Sequence, residues 1–133
     1  MMIGADAFLQ ALAEPTRLRV LVLLNCETEL CVCELTAALA VSQPKMSRHL
    51  AALRGLGIVE DARLANRVFY RLHPALPGWA RKAIDNLAEG MATSSEFAAI
   101  QRRLQAFAHR PRRPASFGGG EPGDIREKTA DAV

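Results

Sequence analysis

Ser42 to Leu56, SQPKMSRHLAALRGL, is the stretch on which the reading of the chain turns. Met46, Leu50 and Leu53 recur at i, i+4 and i+7, and this single apolar stripe predicts a short amphipathic helix. On a wheel of ~100° per residue, Arg48 falls almost opposite Met46, with Lys45, Ser47, Ala51 and Ala52 around the outward half. Ser42 is placed to cap the helix, and Pro44 falls in the first turn, where a missing backbone donor costs little. Gly55 and Gly57 mark the stop. A small, hydroxylated and basic face suits entry into a DNA major groove. The alanines let the backbone approach, Lys45 can meet phosphate, and Gln43 or Arg48 can reach base edges. Taken alone the same pattern also fits a solvated surface helix, so its neighbours decide.

Upstream, residues 3–12 predict a first helix with Phe8, Ala11 and Leu12 on one face. Pro15 opens a second, whose run Leu18, Val20, Leu21, Val22, Leu23 and Leu24 leaves hardly any polar side and belongs to a helix buried nearly all round. Leu35, Ala38 and Leu39 give a third over Val32 to Leu39, and Ala40-Val41-Ser42 is a brief connection into the basic helix. Two short helices so joined form a helix-turn-helix, the second entering the groove. Downstream the period changes: Ile58 to Arg63 and Arg67 to Leu72 read as strands, with Val68, Tyr70 and Leu72 on one face and Arg67, Phe69 and Arg71 on the other. Leu64-Ala65-Asn66 is the tip, Asn66 being the residue that tolerates a left-handed turn. Arg63 and Arg67 flank it, so the hairpin is a basic wing able to follow the backbone or minor groove, or else a structural hairpin with solvated arginines. The expected fold is mainly α with a small β-hairpin, a winged helix-turn-helix. The expected DNA-contacting set is Gln43, Lys45, Ser47, Arg48, His49, Arg63 and Arg67.

Pro74 and Pro77 precede a helix bearing Leu76, Trp79, Ala83, Leu87 and Met91. Thr93 with Glu96 makes a capping box for a last helix bearing Phe97, Ile100, Leu104 and Phe107. These stripes exceed what a small winged domain buries alone. The expectation is a homodimer built mainly from the first and last helices, the alternative being that they fold back on their own chain. A dimer would set two reading helices ~34 Å apart on a palindrome. The division expected is residues 1–92 for DNA binding and sensing, 93–109 for a dimerisation helix of the same domain, and 110–133 for a disordered tail rich in proline, glycine and charge. Arg110, Arg112 and Arg113 in that tail either add non-specific DNA affinity or are simply solvated.

The 133 residues are half apolar with few aromatics, as suits one domain with an aliphatic helical core. A net charge of +3 says little, but its distribution says more. Residues 42–73 hold six Lys and Arg against two Asp and Glu, whereas residues 1–41 hold two against five. That local basic patch is the electrostatic footprint of nucleic-acid binding. No apolar run approaches the ~18 residues of a membrane span, and no leader is evident, so no membrane partner is expected and the location expected is cytoplasmic. Three cysteines, two of them one residue apart, do not make a secreted disulfide framework, and reduced thiols are expected.

Cys31-Val-Cys33 carries the chemistry. On a regular helix side chains two apart diverge by ~200°, so both sulfurs can grip one soft ion only if the helix start is deformed. At the entry to the helix-turn-helix this makes the pair a candidate switch, and a helix N-terminus favours the thiolate that thiophilic ions select. Cys26 is either a third ligand or a small core residue.

On the segments EPTRLRVLVLL (14–24), ELCVCELTAAL (29–39), SQPKMSRHLAALRGLGIVED (42–61) and VFYRLHP (68–74), the chain resembles the arsenite-responsive repressors of the ArsR/SmtB family. The resemblance covers roughly residues 5–90. It implies a non-enzymatic winged-helix dimer that represses a metalloid-resistance operon, has no constitutive cofactor, and releases operator DNA when arsenite, As(III), or antimonite, Sb(III), binds the thiols. One departure bears on the ligands. The founding pattern has a further cysteine three residues after the pair, where this chain has Thr36, so coordination is by Cys31 and Cys33 alone or is completed by Cys26. The family's zinc sensors use a carboxylate and histidine array after the wing; here Asp85 and Glu89 stand without histidine, and His49, His73 and His109 are scattered, so zinc sensing is not expected. Two rivals belong to other classes: a thiol redox sensor or thiol enzyme using Cys31 and Cys33, and a helical interaction module whose basic face merely solvates it. The chain has no Cys-x-x-Cys motif on a βαβ framework, which counts against the enzyme.

Overall fold

The computed structural model describes residues 3–107 and Arg110. Six helices and three strands follow in the order α1 (Ala5–Leu12), α2 (Pro15–Glu27), β1 (Glu29–Cys31), α3 (Val32–Leu39), α4 (Gln43–Gly55), β2 (Val59–Leu64), β3 (Arg67–Leu72), α5 (Gly78–Met91) and α6 (Ser95–Ala106). The core is aliphatic and centred on α2, whose Val20 to Leu24 are all buried, as an apolar run without a polar side requires. Met46, Leu50 and Leu53 of α4 are each fully buried against it, and this fixes which face of α4 points outward. Burying each such side chain contributes roughly 1.5–3 kcal/mol.

The α3–α4 turn uses a left-handed residue with no glycine. Ala40 sits at φ 57°, ψ 44°, and the amides of both Ala40 and Val41 donate to the Thr36 carbonyl. At the other end of α4 the chain turns through Gly57 at φ 78°, where glycine is at home, and its amide donates to the Arg54 carbonyl. The wing hairpin is closed by the Leu64–Arg67 pair, leaving Ala65-Asn66 as a two-residue turn. Ala65 (φ 58°), and not Asn66, takes the left-handed conformation, because the register makes it the first central residue of a tight hairpin turn.

Sheet order is β1-β3-β2, all antiparallel. The short β1 was not expected from the sequence. Its three residues pair Glu29 with Arg71, Leu30 with Tyr70 and Cys31 with Phe69, making β3 the central strand. Phe69, which the alternation places on the face of Arg67 and Arg71, is buried there.

The last helix departs from expectation. Phe97, Ile100 and Leu104 are buried within the same chain, where α6 lies along α3. Arg103 Nε donates to the Ala38 carbonyl at 2.8 Å, and Arg19 of α2 pairs with Glu96 at 2.6 Å. The stripe assigned to a partner is therefore already covered. Large apolar side chains left in solvent are Leu9 of α1 (63% exposed), Trp79 (47%) and Leu87 (37%) of α5, and Leu56 (39%) at the end of α4. On α5 it is Ala80 and Ile84 that face the core, while Trp79 lies edge-on to Phe8 of α1 with ring centroids 5.3 Å apart. The tail expected over 110–133 lies outside the described residues except for Arg110, which turns inward onto Glu34 and Glu27 and is not a free surface charge. No described helix is long and apolar enough to cross a membrane.

Candidate thiol site and nucleic-acid interface

Cys31 is the last residue of β1 and the N-cap of α3, with extended dihedrals (φ −83°, ψ 160°), and the helix proper begins at Val32. The ~200° divergence expected of two helical residues therefore does not apply. The α-carbons of Cys31 and Cys33 are 5.3 Å apart, and their side chains meet over a regular helix start with no deformation. The two sulfurs are joined as a disulfide, where reduced thiols were expected. Cys31 Sγ also accepts the Cys33 amide hydrogen at 3.2 Å, so a candidate ligand atom is itself the acceptor that caps α3. The cap is reciprocal: the Cys31 amide donates to Glu34 Oε1 at 2.8 Å. Glu34 had no role in the sequence reading, although its place three residues after Cys31 is the spacing of a capping box.

Around the pair, Arg67 Nη1 of the wing lies 3.3 Å from Cys33 Sγ. The Thr36 hydroxyl donates to the Cys33 carbonyl at 3.0 Å, and so is engaged with its own helix. A cleft of about 360 Å³ opens here, lined by Cys31, Cys33, Thr36, Gln43, Asn66 and Arg67, so the sulfurs, the start of α4 and the wing tip share one space. Cys26 stands apart as an exposed residue in the last turn of α2, and is not the core residue that was the alternative for it. Partial desolvation of its sulfur, then the neighbouring Glu27 charge, push its thiol pKa up. Among the described residues no group of three or more His, Cys, Asp or Glu side chains is placed to hold a metal ion. Two sulfurs whose α-carbons are this close suit one thiophilic centre once reduced.

The outward face of α4 carries Gln43, Lys45, Ser47, Arg48, Ala51 and Ala52, all exposed. Gln43 Nε2 donates to Ser47 Oγ at 3.0 Å, which pre-orients both. Lys45, Arg48 and, on the wing, Arg63 make no ion pair among the described residues, whereas Arg54 and Arg71 are paired with Asp61 and Glu60. His49 departs from the expected set. It is drawn against the body of the protein, half-buried, with Nε2 3.9 Å from Glu14 Oε1. Four exposed polar groups on one helix face, two of them cations without an ion pair among the described residues, with a basic wing beside it, give a surface complementary to a polyanion.

Residues 14–61, from the N-cap of α2 into β2, match the family model described as bacterial regulatory protein, arsR family. The arsenic resistance transcriptional regulator ArsR1 of Pseudomonas putida is 43% identical over 109 residues, covering 80% of this chain and 82% of the relative.

The chain belongs to the arsR family.

The arsenical resistance operon repressor of Escherichia coli is 53% identical over 74 residues, 56% of this chain and 63% of that protein. Among solved structures, HlyU from Vibrio cholerae superposes with a TM-score of 0.60 at 35% identity, covering 66% of this chain and 91% of the other. The matched segment of this arsR-family chain contains the Cys31-Cys33 pair, the helix-turn-helix of α3 and α4, and the start of the first strand of the wing. It is a winged-helix transcriptional regulator and not an enzyme.

Proposed function

We propose that this protein is an arsenic-resistance repressor that binds operator DNA as a homodimer and releases it when arsenite or antimonite is captured by Cys31 and Cys33. The observation that carries the reading is the position of the pair: the Cys31 sulfur caps the first helix of the helix-turn-helix, and both cysteines line the cleft shared with Gln43 and Arg67. In the reduced protein each thiol gives a proton to a hydroxide of As(III), water leaves, and two As–S bonds form. The Cys31 sulfur is then withdrawn from the Cys33 amide. Caps of this kind are worth about 0.5–2 kcal/mol for oxygen acceptors, and less is expected of sulfur. α3 is eight residues long, and the Thr36 carbonyl ties its far end to the turn into α4, which gives a shift at the sulfurs a path to the reading helix. Typical coupling energies of ~1–3 kcal/mol, repeated in two subunits, suffice for release.

In this reading Lys45 and the wing arginines Arg63 and Arg67 meet phosphate, while Arg48, Gln43 and Ser47 face base edges. The two copies meet through α1 and α5, where Leu9, Trp79 and Leu87 are exposed, and not through α6. The deciding experiment is fluorescence anisotropy of an operator fragment with reduced protein. Saturating arsenite is expected to weaken binding at least about tenfold. Unchanged affinity refutes the proposal.

A second reading is favoured by the disulfide itself: the pair as a redox switch. Peroxide takes two electrons and two protons from Cys31 and Cys33, leaving the disulfide and two waters. DNA release on peroxide treatment, reversed by dithiothreitol and insensitive to arsenite, would select this reading. The two chemistries exclude one another at any moment, because the oxidised pair has no thiolate to offer a metalloid.

A further inference from the structure

Glu34 is the only charged side chain wholly buried among the described residues. Both of its carboxylate oxygens are engaged. Oε1 accepts the Cys31 amide at 2.8 Å, and Oε2 accepts Arg110 Nε at 2.7 Å. Arg110 Nη2 is also 3.5 Å from Glu27 Oε1, at the end of α2. The guanidinium thus joins the end of α2 to the start of α3 from a position 76 residues after Glu34. A carboxylate removed from water stays charged only where a cation and donors replace its hydration. Arg110 is that cation. Without it, Glu34 loses the contact that orients its carboxylate, and the bond that fixes the Cys31 backbone weakens. Sequence position gives no hint of this, since Arg110 opens a stretch that otherwise reads as a solvated tail.

We propose that Arg110 is a positioning residue of the thiol site: by neutralising Glu34 it holds the Cys31 N-cap in place and so sets how readily Cys31 and Cys33 close on a thiophilic ion. This rests on the reading of the pair as the As(III) ligands. Partners that orient a ligand from outside the coordination shell typically change metal affinity roughly 10- to 100-fold when removed.

The test uses the full, reduced chain and five variants, R110Q, R110K, E34Q, R110Q/E34Q and R110K/E34Q, all checked by circular dichroism. Arsenite affinity is read from the thiolate-to-arsenic ultraviolet absorbance. Separately, the rate of Cys31 alkylation by iodoacetamide is followed by peptide mass spectrometry. R110Q is expected to weaken arsenite binding about tenfold or more. E34Q is expected to restore most of that in the double variant, because a glutamine carbonyl accepts the Cys31 amide and needs no counterion. R110K should fall between parent and R110Q. A general loss of packing would not be rescued by a second substitution. Arsenite affinity of R110Q matching the parent overturns the proposal, as does a double variant no better than R110Q. If R110Q does not fold, R110K decides: affinity below the parent that E34Q restores supports the role, and affinity equal to the parent overturns it. If the parent itself binds no arsenite, it is the functional reading that has failed. The alkylation rate then tests Arg110 alone, a change in R110Q reversed by E34Q supporting its hold on Cys31 and an unchanged rate overturning it.

Discussion

The starts of α3 and α4 use the same device to opposite ends. Each is capped by a side chain that accepts an amide of the first turn: Cys31 Sγ from the Cys33 amide at 3.2 Å, and Ser42 Oγ from the Lys45 amide at 3.5 Å. The third helical position then differs. In α3 it is Glu34, buried and reaching back to the Cys31 amide, an anion where the helix dipole favours one. In α4 it is Lys45, exposed and without an ion pair among the described residues, a cation where the dipole disfavours it, so two sources of positive potential add. One start is satisfied by its own chain. The other is left to be satisfied by an anion from outside, which in the proposed function is the phosphate backbone.

That contrast can be broken in four ways. The largest effect is expected from Cys33→Ser, which should abolish the arsenite response while leaving operator affinity within about threefold, since no sulfur contact carries DNA in this account. Titrating the variant with arsenite on a labelled operator checks it. Lys45→Glu should convert the start of α4 into a copy of the start of α3. It places a carboxylate three residues after Ser42, and is expected to raise stability by roughly 0.5–1 kcal/mol while lowering DNA affinity more than about tenfold. Thermal melts and anisotropy on the same sample test the opposed signs; if both fall, the capping comparison fails.

Arg48→Ala comes next. Loss of a base contact costs about 1–3 kcal/mol of discrimination, so binding to operator should weaken far more than binding to random DNA, and equal losses on both would remove the base-reading role. The smallest effect belongs to Cys26→Ser, expected to leave the arsenite response unchanged. Because desolvation and Glu27 raise its pKa above the ordinary thiol value of 9.0, Cys26 in the parent protein should stay protonated near neutrality. Its alkylation should be slow near neutrality, rise with pH and level off only above that value, which a pH series read by mass spectrometry would show.

Most of the architecture was legible because hydrophobic spacing is a local signal. The stripe Met46, Leu50, Leu53 fixed the outward face of α4, and the unbroken run in α2 marked the central helix. What sequence could not give were decisions taken by tertiary neighbours. β1 is three residues long and exists only because β3 offers an edge. The stripe of α6 reads equally well as a partner surface or an internal one, and α3 settles it. His49 is adjacent to Arg48 in sequence, yet it is half-buried, with Nε2 3.9 Å from Glu14 Oε1, where Arg48 is exposed. The cysteine spacing was legible as chemistry, but the conformation of Cys31 was not, since a residue at the junction of strand and helix follows neither period.

That junction has a mechanical corollary. Cys31 is the last rung of the ladder to Phe69 and, at the same time, the first anchor of α3. A pull on its sulfur is applied at a joint with two levers, one leading through β3 to the wing and the other along α3 to the reading helix. Load at a single atom would thus be divided between both arms that grasp the duplex, and an arm stiffened by substitution should throw the motion onto its fellow.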